Sequence, residues 1–131
     1  MRVTHVGLNH LDVWVRRGVP GHRFPLPLIP GSDIAGVRLD TGEPVVVFPA
    51  QVDLADAPSL AGRPDLSRTY RIRGEGTDGG CREVIAVGEH ELFPIGALEP
   101  AQAASLPLSL LTAWHMLIGR AGLQPGDRVL V

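Results

Sequence analysis

Glycine and proline interrupt this chain at short intervals along its whole length. The 131 residues include 16 glycines and 12 prolines, which are spread along the chain and not concentrated in one linker. Glycines and prolines at such short intervals favour short secondary-structure elements separated by turns, as in a β-rich domain. With 44% hydrophobic and 20% charged residues, the composition is that of one globular domain. The sequence therefore predicts a mainly β fold with a few helices.

Charge and cysteine content exclude several classes of function. The formal net charge is −2, so the chain has no basic footprint for nucleic acid. Cys81 is the only cysteine, which excludes an internal disulfide and a cysteine-rich zinc site. No stretch approaches the roughly 20 apolar residues of a membrane span, and MRVTHVGLNH lacks the apolar core of a signal peptide. We therefore expect a cytoplasmic protein with neither membrane nor nucleic-acid partners.

Apolar and β-branched runs between the turns predict the strands. The predicted strands are Val3–Val6, Ile34–Leu39, Pro44–Phe48, Tyr70 with Ile72, and Val84–Val87. The prolines at 25, 27 and 30 exclude a central strand from residues 22–30, which we expect to form an extended loop. Residues 52–68 have weak periodicity and predict a surface lobe or long loop.

A short helix is predicted at Leu11–Arg17, with Asn9 or His10 near its start and a glycine at its end. Asp12 suits the first turn of this helix. Its position also allows an i,i+4 pair with Arg16. Both are structural roles, and we predict a structural role for Asp12 rather than a role in chemistry.

Helix formers dominate from Glu99 onward, in two runs that Pro107 separates. The second run, Leu108–Arg120, is apolar nearly all round, which predicts a buried helix. The final QPGDRVLV predicts a turn followed by an apolar strand. Three large side chains are expected in the core: Trp14, Trp114 and Met116. Arg71 and Arg73 flank an apolar residue, so we expect both to lie on the solvent-exposed face of a strand.

Three stretches, taken in order, resemble the catalytic domain of the medium-chain dehydrogenase/reductase superfamily. They are GLNHLDVWVRRG, FPLPLIPGSDIAG and the long stretch from DGGCREVIAV to LQPGDRVLV. Their order and spacing match nearly the whole chain. The resemblance implies a GroES-like, partly open β-barrel with a few helices. In that superfamily this domain precedes a Rossmann domain that binds a dinucleotide, and the substrate reacts in the cleft between the two domains.

The resemblance also implies a site without catalytic zinc. Zinc alcohol dehydrogenases of the superfamily carry Cys, His and Cys at the positions of Asn9, Ser32 and about Leu108. A catalytic zinc needs three protein ligands and one open position. An amide, a hydroxyl and an isobutyl group do not supply those ligands. The chain is therefore similar to the NADPH-dependent quinone oxidoreductases of the zinc-independent branch, which typically have Asn at the first position.

The lobe that carries a structural zinc in those relatives offers oxygen donors here. Asp53, Asp56, Ser59 and Ser67 stand at the spacings of the four cysteines. These hard oxygen ligands do not suit a cysteine-type zinc centre. We therefore expect an ordinary polar loop and no metal.

The resemblance assigns roles to four residues, each beside a structural alternative. Asn9 is the expected catalytic residue, donating an amide N–H to a substrate carbonyl, and it is equally suited to cap a helix. Ser32 is expected to bind substrate in the vacated metal pocket, with Asp33 beside it, or else to serve the PGSD turn. His10 and Thr112 are expected to contact the cofactor. The alternatives are a surface histidine and a helical threonine bonded to its own preceding carbonyl.

The chain differs from the superfamily pattern in three features. Only six residues precede Gly7, where relatives have a few tens, so we expect an unpaired barrel edge and marginal stability. The segment between Gly36 and Val45 is short. The chain also ends before the Gly-rich turn that binds the pyrophosphate. We assign 1–98 to a GroES-like domain lacking its first strands, 99–125 to a helical connection, and 126–131 to the first strand of an absent Rossmann domain.

Two hypotheses about function follow. The first is the substrate domain of a zinc-independent oxidoreductase for quinones, enones, aldehydes or alcohols, which uses NADP or NAD only with a complete Rossmann domain. Such a chain is expected to be inactive alone and to require a nucleotide domain, either downstream on the same chain or on a separate chain. The other expected partners are a small-molecule carbonyl or quinone and a second copy in a homo-oligomer. The second is a non-enzymatic GroES-like remnant that binds a protein partner.

Overall fold

Two antiparallel sheets form the β part of the molecule. The computed structural model describes residues 1–56 and 60–130. The larger sheet has four strands: β1 (Arg2–Gly7), β2 (Asp33–Val37), β3 (Pro44–Val47) and β6 (Leu92–Pro94). They lie in the order β1-β2-β3-β6, with every neighbouring pair antiparallel. The smaller sheet pairs β4 (Ala50–Gln51) with β5 (Arg71–Ile72).

The chain forms α1 (His10–Arg17), α2 (Pro100–Ala103) and α3 (Pro107–Trp114), of which α2 and α3 pack against the larger sheet. A π-helical segment, His115–Arg120, continues α3. Helix α1 ends at Gly18, whose φ of 79° favours glycine and whose N–H donates to the Trp14 carbonyl at 2.8 Å. No described helix has both the length and the apolar character that crossing a bilayer requires.

The core lies on one face of the larger sheet. Ile34, Val47 and Ile85 are buried together there, and partly buried apolar side chains cover them: Met1, Val3, Val87 and Leu92. At Gly7, where β1 ends, an added Cβ would collide with the backbone carbonyl of Ala104 just after α2. This close approach fixes the end of β1 against the helices. It also sets the position of the residues that follow.

Several predictions of the element pattern are confirmed. The strands at 3–6, 34–39 and 44–48 and the helix at 11–17 are present with small shifts of their ends. Residues 22–30 form no strand or helix. The described strands form an open sheet and not a closed barrel. The mainly β fold with a few helices is therefore confirmed.

The helix predicted at 108–120 is present, but its predicted burial is wrong. Leu110, Leu111 and Trp114 are 55%, 43% and 64% exposed, and Met116 is 59% exposed. Trp14 is also exposed, at 53%. An apolar surface all round a helix indicates several apolar environments, and here α3 borders three surface grooves. The pattern did not distinguish those grooves from a closed core.

The predicted solvated face at Arg71 and Arg73 is wrong for the second residue. Arg71 is exposed, but Arg73 is only 3% exposed, and its Nη2 donates to Oε1 of Glu91 at 2.7 Å. Strand β5 ends at Ile72, so the alternation of the strand does not extend to Arg73. A buried guanidinium is tolerated because a buried carboxylate pairs with it.

Two predicted strands are not formed in the described residues. At 84–87 the structure has an isolated bridge between Arg2 and Val84, although Ile85 N–H donates to the Met1 carbonyl at 3.1 Å. Residues 128–130 have no strand partner in the chain as described, and Val131 lies outside the described residues. At 84–87 the hydrogen bonds with residues 1–3 make only a single bridge, and at 128–130 no described strand pairs with the backbone.

Candidate active site

Asn9 lies at the junction between β1 and α1. It occupies the N-cap of α1 with an extended backbone, φ −117° and ψ 163°. The carboxylate of Asp12 accepts the backbone N–H of Asn9 at 2.8 Å, as in one half of a capping box. The side-chain amide of Asn9 is not used in capping. Its Nδ2 donates instead to Oδ2 of Asp33 at 2.9 Å.

Asp33 connects three parts of the chain. It begins β2 and is 2% exposed, so its carboxylate is enclosed by protein. Oδ2 accepts the Asn9 amide, and Oδ1 accepts the backbone N–H of Leu108 at 2.6 Å. Burial raises the pKa of Asp33, and these two hydrogen bonds partly oppose that rise. A carboxylate with two N–H donors therefore joins Asn9 to the start of α3. We call Asn9, Asp33 and the Leu108 backbone the Asp33 cluster.

The Asp33 cluster lies where zinc-containing relatives hold their metal, by the resemblance stated above. Asn9 and Leu108 match two of the ligand positions, and Asp33 follows the third, Ser32. Among the described residues, no group of three or more His, Cys, Asp or Glu side chains is placed to bind a metal ion. The absence of zinc stays a prediction, and a hydrogen-bonded cluster is what the structure shows at this place.

Asp12 anchors the PGSD turn beside this cluster. Its Oδ1 accepts the backbone N–H of Gly31 at 2.8 Å, while its Oδ2 accepts that of Asn9. Gly31 has a φ of 98°, which is available to glycine and strained for other residues. The described ion pairs do not include one between Asp12 and Arg16. The first-turn role of Asp12 is the one observed.

Ser32 is enclosed beside Asp33. It is 0% exposed, and its Oγ donates to the carbonyl oxygen of Arg73 at 2.6 Å. A substrate would reach this hydroxyl only if the turn moved. The substrate-binding role of Ser32 stays a prediction, and this geometry weighs against it.

A cavity of about 650 Å³ opens beside Asn9, between α1, α3 and the last described residues. Asn9, His10 and Thr112 all line it, so the structure brings together three of the four predicted site residues. The rest of its wall is largely apolar, with Leu11, Trp14, Ala113 and Met116 among the lining residues. Thr112 Oγ1 donates to the Leu108 carbonyl at 2.7 Å, as its structural alternative predicts. His10 is exposed, with its ring 6.3 Å from that of Trp14.

A second cavity of about 380 Å³ adjoins the first along α3. The two share Leu108, Thr112 and Met116, and the second adds Phe48 and Tyr70. The sequence analysis did not single out Tyr70 as a site residue. The linking role of Asp33 also went unrecognised, although an acidic residue at the start of a buried strand signals a carboxylate with partners inside the protein.

Comparison with known proteins decides the family. Residues 1–97 match the alcohol dehydrogenase GroES-like domain. The chain belongs to this family. This GroES-like chain is 34% identical over 147 residues to the crotonyl-CoA carboxylase/reductase of Cereibacter sphaeroides, covering 98% of the chain and 34% of that protein. It is 28% identical over 132 residues to the quinone oxidoreductase of Homo sapiens, covering 100% of the chain and 35% of that protein.

Solved structures agree with the GroES-like assignment. An NAD-dependent alcohol dehydrogenase superposes with a TM-score of 0.86 at 37% identity, over 96% of this chain and 40% of that one. A cobalt- and zinc-bound alcohol dehydrogenase from Pyrobaculum aerophilum gives 0.79 at 33% identity, over 98% and 41%. The predicted medium-chain dehydrogenase/reductase membership and the partly open GroES-like fold are confirmed. The chain spans about a third of the length of the two curated relatives described above.

Proposed function

We propose that this chain supplies the substrate-side domain of an NAD(P)H-dependent oxidoreductase that reduces a carbonyl, enone or quinone without catalytic zinc. The supporting observation is the Asn9 amide, held by Asp33 at the wall of the cavity that His10 and Thr112 also line. In this proposal residues 1–98 form the substrate domain, 99–125 the connection and 126–131 the start of the nucleotide domain. The names of the relatives support the same class of reaction.

Asn9 can stabilise the charge that reduction places on a substrate oxygen. One N–H of its amide is engaged by Asp33, which leaves the second N–H for an oxygen in the cavity. The hydrogen bond to a buried carboxylate fixes the amide before the substrate arrives. A preorganised donor of this kind needs no reorganisation as charge develops. Asn9 is therefore the proposed catalytic residue, and Asp33 is its positioning residue.

The larger cavity has the chemistry that a nicotinamide group needs. Its volume of about 650 Å³ lies within the usual range for cofactor sites, and its wall is apolar with a few polar groups at one side. His10 and Thr112 would contact the bound cofactor, which supplies a hydride. Trp14 and Met116 would keep water from the reacting atoms. The proposed cofactor is NADP or NAD.

The experiment that tests this function uses the protein at its natural length. NADPH and NADH oxidation are measured with quinones, enones and aldehydes, and Asn9→Ala is compared with the wild type. We expect kcat to fall by about 10²–10³, the usual cost of losing one oxyanion donor. Leu8→Ala, a change at the exposed neighbour outside the larger cavity, is the control. No oxidation with any acceptor, or an unchanged kcat in Asn9→Ala, would contradict the proposal.

The protein-binding alternative is favoured by a different observation. The exposed apolar side chains of α3 form a surface that a partner chain would cover: Leu110, Leu111 and Trp114. A wild-type protein without any reductase activity would favour the hypothesis that this surface binds a protein partner. A homo-oligomer, a separate nucleotide-domain chain and a cytoplasmic location also stay predictions.

A further inference from the structure

The proposed reduction needs a proton for the substrate oxygen, and the hydroxyl and carboxyl groups beside Asn9 are already engaged in hydrogen bonds. An amide N–H stabilises charge but is not acidic. The hydroxyl proton of Thr112 is donated to the Leu108 carbonyl, and that of Ser32 to the Arg73 carbonyl. Asp33 is enclosed, and both of its oxygens accept N–H bonds. His10 also lines the cavity, but the proposed function places it against the cofactor, so the proton donor comes from elsewhere in the cleft.

Tyr70 is placed to be that donor. It lines the second cavity, which shares Leu108 and Thr112 with the cavity of Asn9. Tyr70 is half-buried and is the only tyrosine of the chain. Its hydroxyl makes no hydrogen bond to any other described residue, and a phenol of this kind can still donate to a ligand. The lining of this cavity also includes the apolar side chains of Phe48 and Leu111, as suits the body of a carbonyl compound.

The surroundings of Tyr70 keep its hydroxyl protonated. Burial raises the pKa of Tyr70, and the negative charges of Asp65 and Glu75 raise it further. The group is therefore neutral at physiological pH and available as a donor. Asp65 and His115 line the same cavity, so polar groups continue from Tyr70 toward solvent.

We propose that Tyr70 is the proton donor for the substrate oxygen, a role that rests on the proposed function. The carbonyl carbon accepts a hydride from a reduced nicotinamide, and the electron pair of the C=O π bond moves to oxygen. The Oη–H bond of Tyr70 breaks, and its proton forms the new O–H bond of the alcohol. The tyrosinate that remains regains a proton from water beside His115. The carbonyl thereby gains two electrons and one hydrogen with the hydride, and it gains one proton from Tyr70.

The first test measures binding and needs no turnover. Tyr70→Phe removes only the hydroxyl and keeps the ring that fills the wall. Acetophenone and ethylbenzene, which share their shape and differ in the carbonyl, are titrated by NMR against the natural-length wild type and variant. We expect the affinity for acetophenone to fall about 5–10-fold in Tyr70→Phe, as for loss of one hydrogen bond. The affinity for ethylbenzene should stay the same. Equal weakening for both ligands, or for neither, would overturn the inference.

The second test measures catalysis in the same protein. Tyr70→Phe should lower kcat at least 10²-fold, within the usual range for general acid catalysis, and leave the KM for the nicotinamide unchanged. It should also remove the solvent deuterium isotope effect on kcat. If Tyr70→Phe reduces acceptors as fast as the wild type does, only the role of Tyr70 is overturned. A wild type that reduces nothing, yet binds acetophenone through Tyr70, would overturn the proposed function and leave the binding contact established.

Discussion

The two places that the resemblance matches to the metal sites of zinc-containing relatives hold hydrogen-bond clusters in this chain, but their surroundings differ. The Asp33 cluster is enclosed and stands at the wall of a large cavity. In the lobe, Ser67 hydrogen-bonds to Asp56, and its Oγ lies 2.7 Å from Oγ1 of Thr69. The Thr69 hydroxyl in turn accepts the backbone N–H of Asp53 at 2.9 Å. The fourth lobe position, Ser59, lies outside the described residues.

The two clusters use similar hydrogen bonds, but they have different roles. The lobe cluster lies on a largely exposed loop, and neither Ser67 nor Thr69 lines the two cavities beside α3. Its hydrogen bonds hold two ends of the lobe together. The Asp33 cluster also joins distant segments, but it leaves one donor of Asn9 free beside a cavity. A cluster becomes a candidate site when an unused polar group meets enclosed space.

The largest expected effect comes from breaking the buried cluster. Asp33→Ala leaves the Asn9 amide and the Leu108 N–H without their acceptor in an enclosed place. We expect the free energy of unfolding to fall by about 2–4 kcal/mol, because buried unsatisfied donors are costly. Urea unfolding followed by circular dichroism measures the change. Asp65→Ala, which removes an exposed carboxylate paired with Arg63, is the control and should change the free energy of unfolding far less. Equal losses in the two variants would contradict the comparison.

A smaller effect is expected in the lobe. Ser67→Ala removes the hydroxyl that joins Asp56 and Thr69. We expect a loss of about 1 kcal/mol in the free energy of unfolding, since Ser67 is buried but its partners Asp56 and Thr69 keep some access to water. Ser109→Ala, on the exposed side of α3, should change it by less than about 0.5 kcal/mol. The affinity for acetophenone should be unchanged in Ser67→Ala. A weakened affinity would show that the lobe shapes the site.

The sequence predicted the fold where local rules decide it. Strands β1 to β3 follow from apolar and β-branched runs, and α1 follows from its N-cap residue and its terminal glycine. Arg73 was misjudged because its partner, Glu91, lies 18 residues further along the chain. The exposure of α3 was missed because an apolar pattern indicates what a residue prefers and not what is present to cover it.

The candidate site was predicted in part, and mainly through the resemblance. Asn9, His10 and Thr112 were expected near one another, and they line one cavity. The role of Asp33 depends on partners 24 and 75 residues away, and no local pattern encodes such contacts. Tyr70 was read only as a strand residue, because its importance comes from the cavity that α3 closes beside it.

The smallest expected effect is a change of stability with pH. It shows how much the negative charge of Asp33, apart from its hydrogen bonds, affects stability. The pKa of Asp33 is raised in the folded state, so the folded chain holds a proton that the unfolded chain has lost. Stability from this group is therefore fully present below the ordinary carboxyl pKa and is lost as pH rises through the raised value. The change is expected to be modest because the bonds from Asn9 and Leu108 oppose the effect of burial. The free energy of unfolding of the wild type, minus that of Asp33→Asn, should decrease with pH in the mildly acidic range. A difference that grows with pH would show that the two hydrogen bonds outweigh burial, and that the Asp33 cluster holds its charge more firmly than its enclosure suggests.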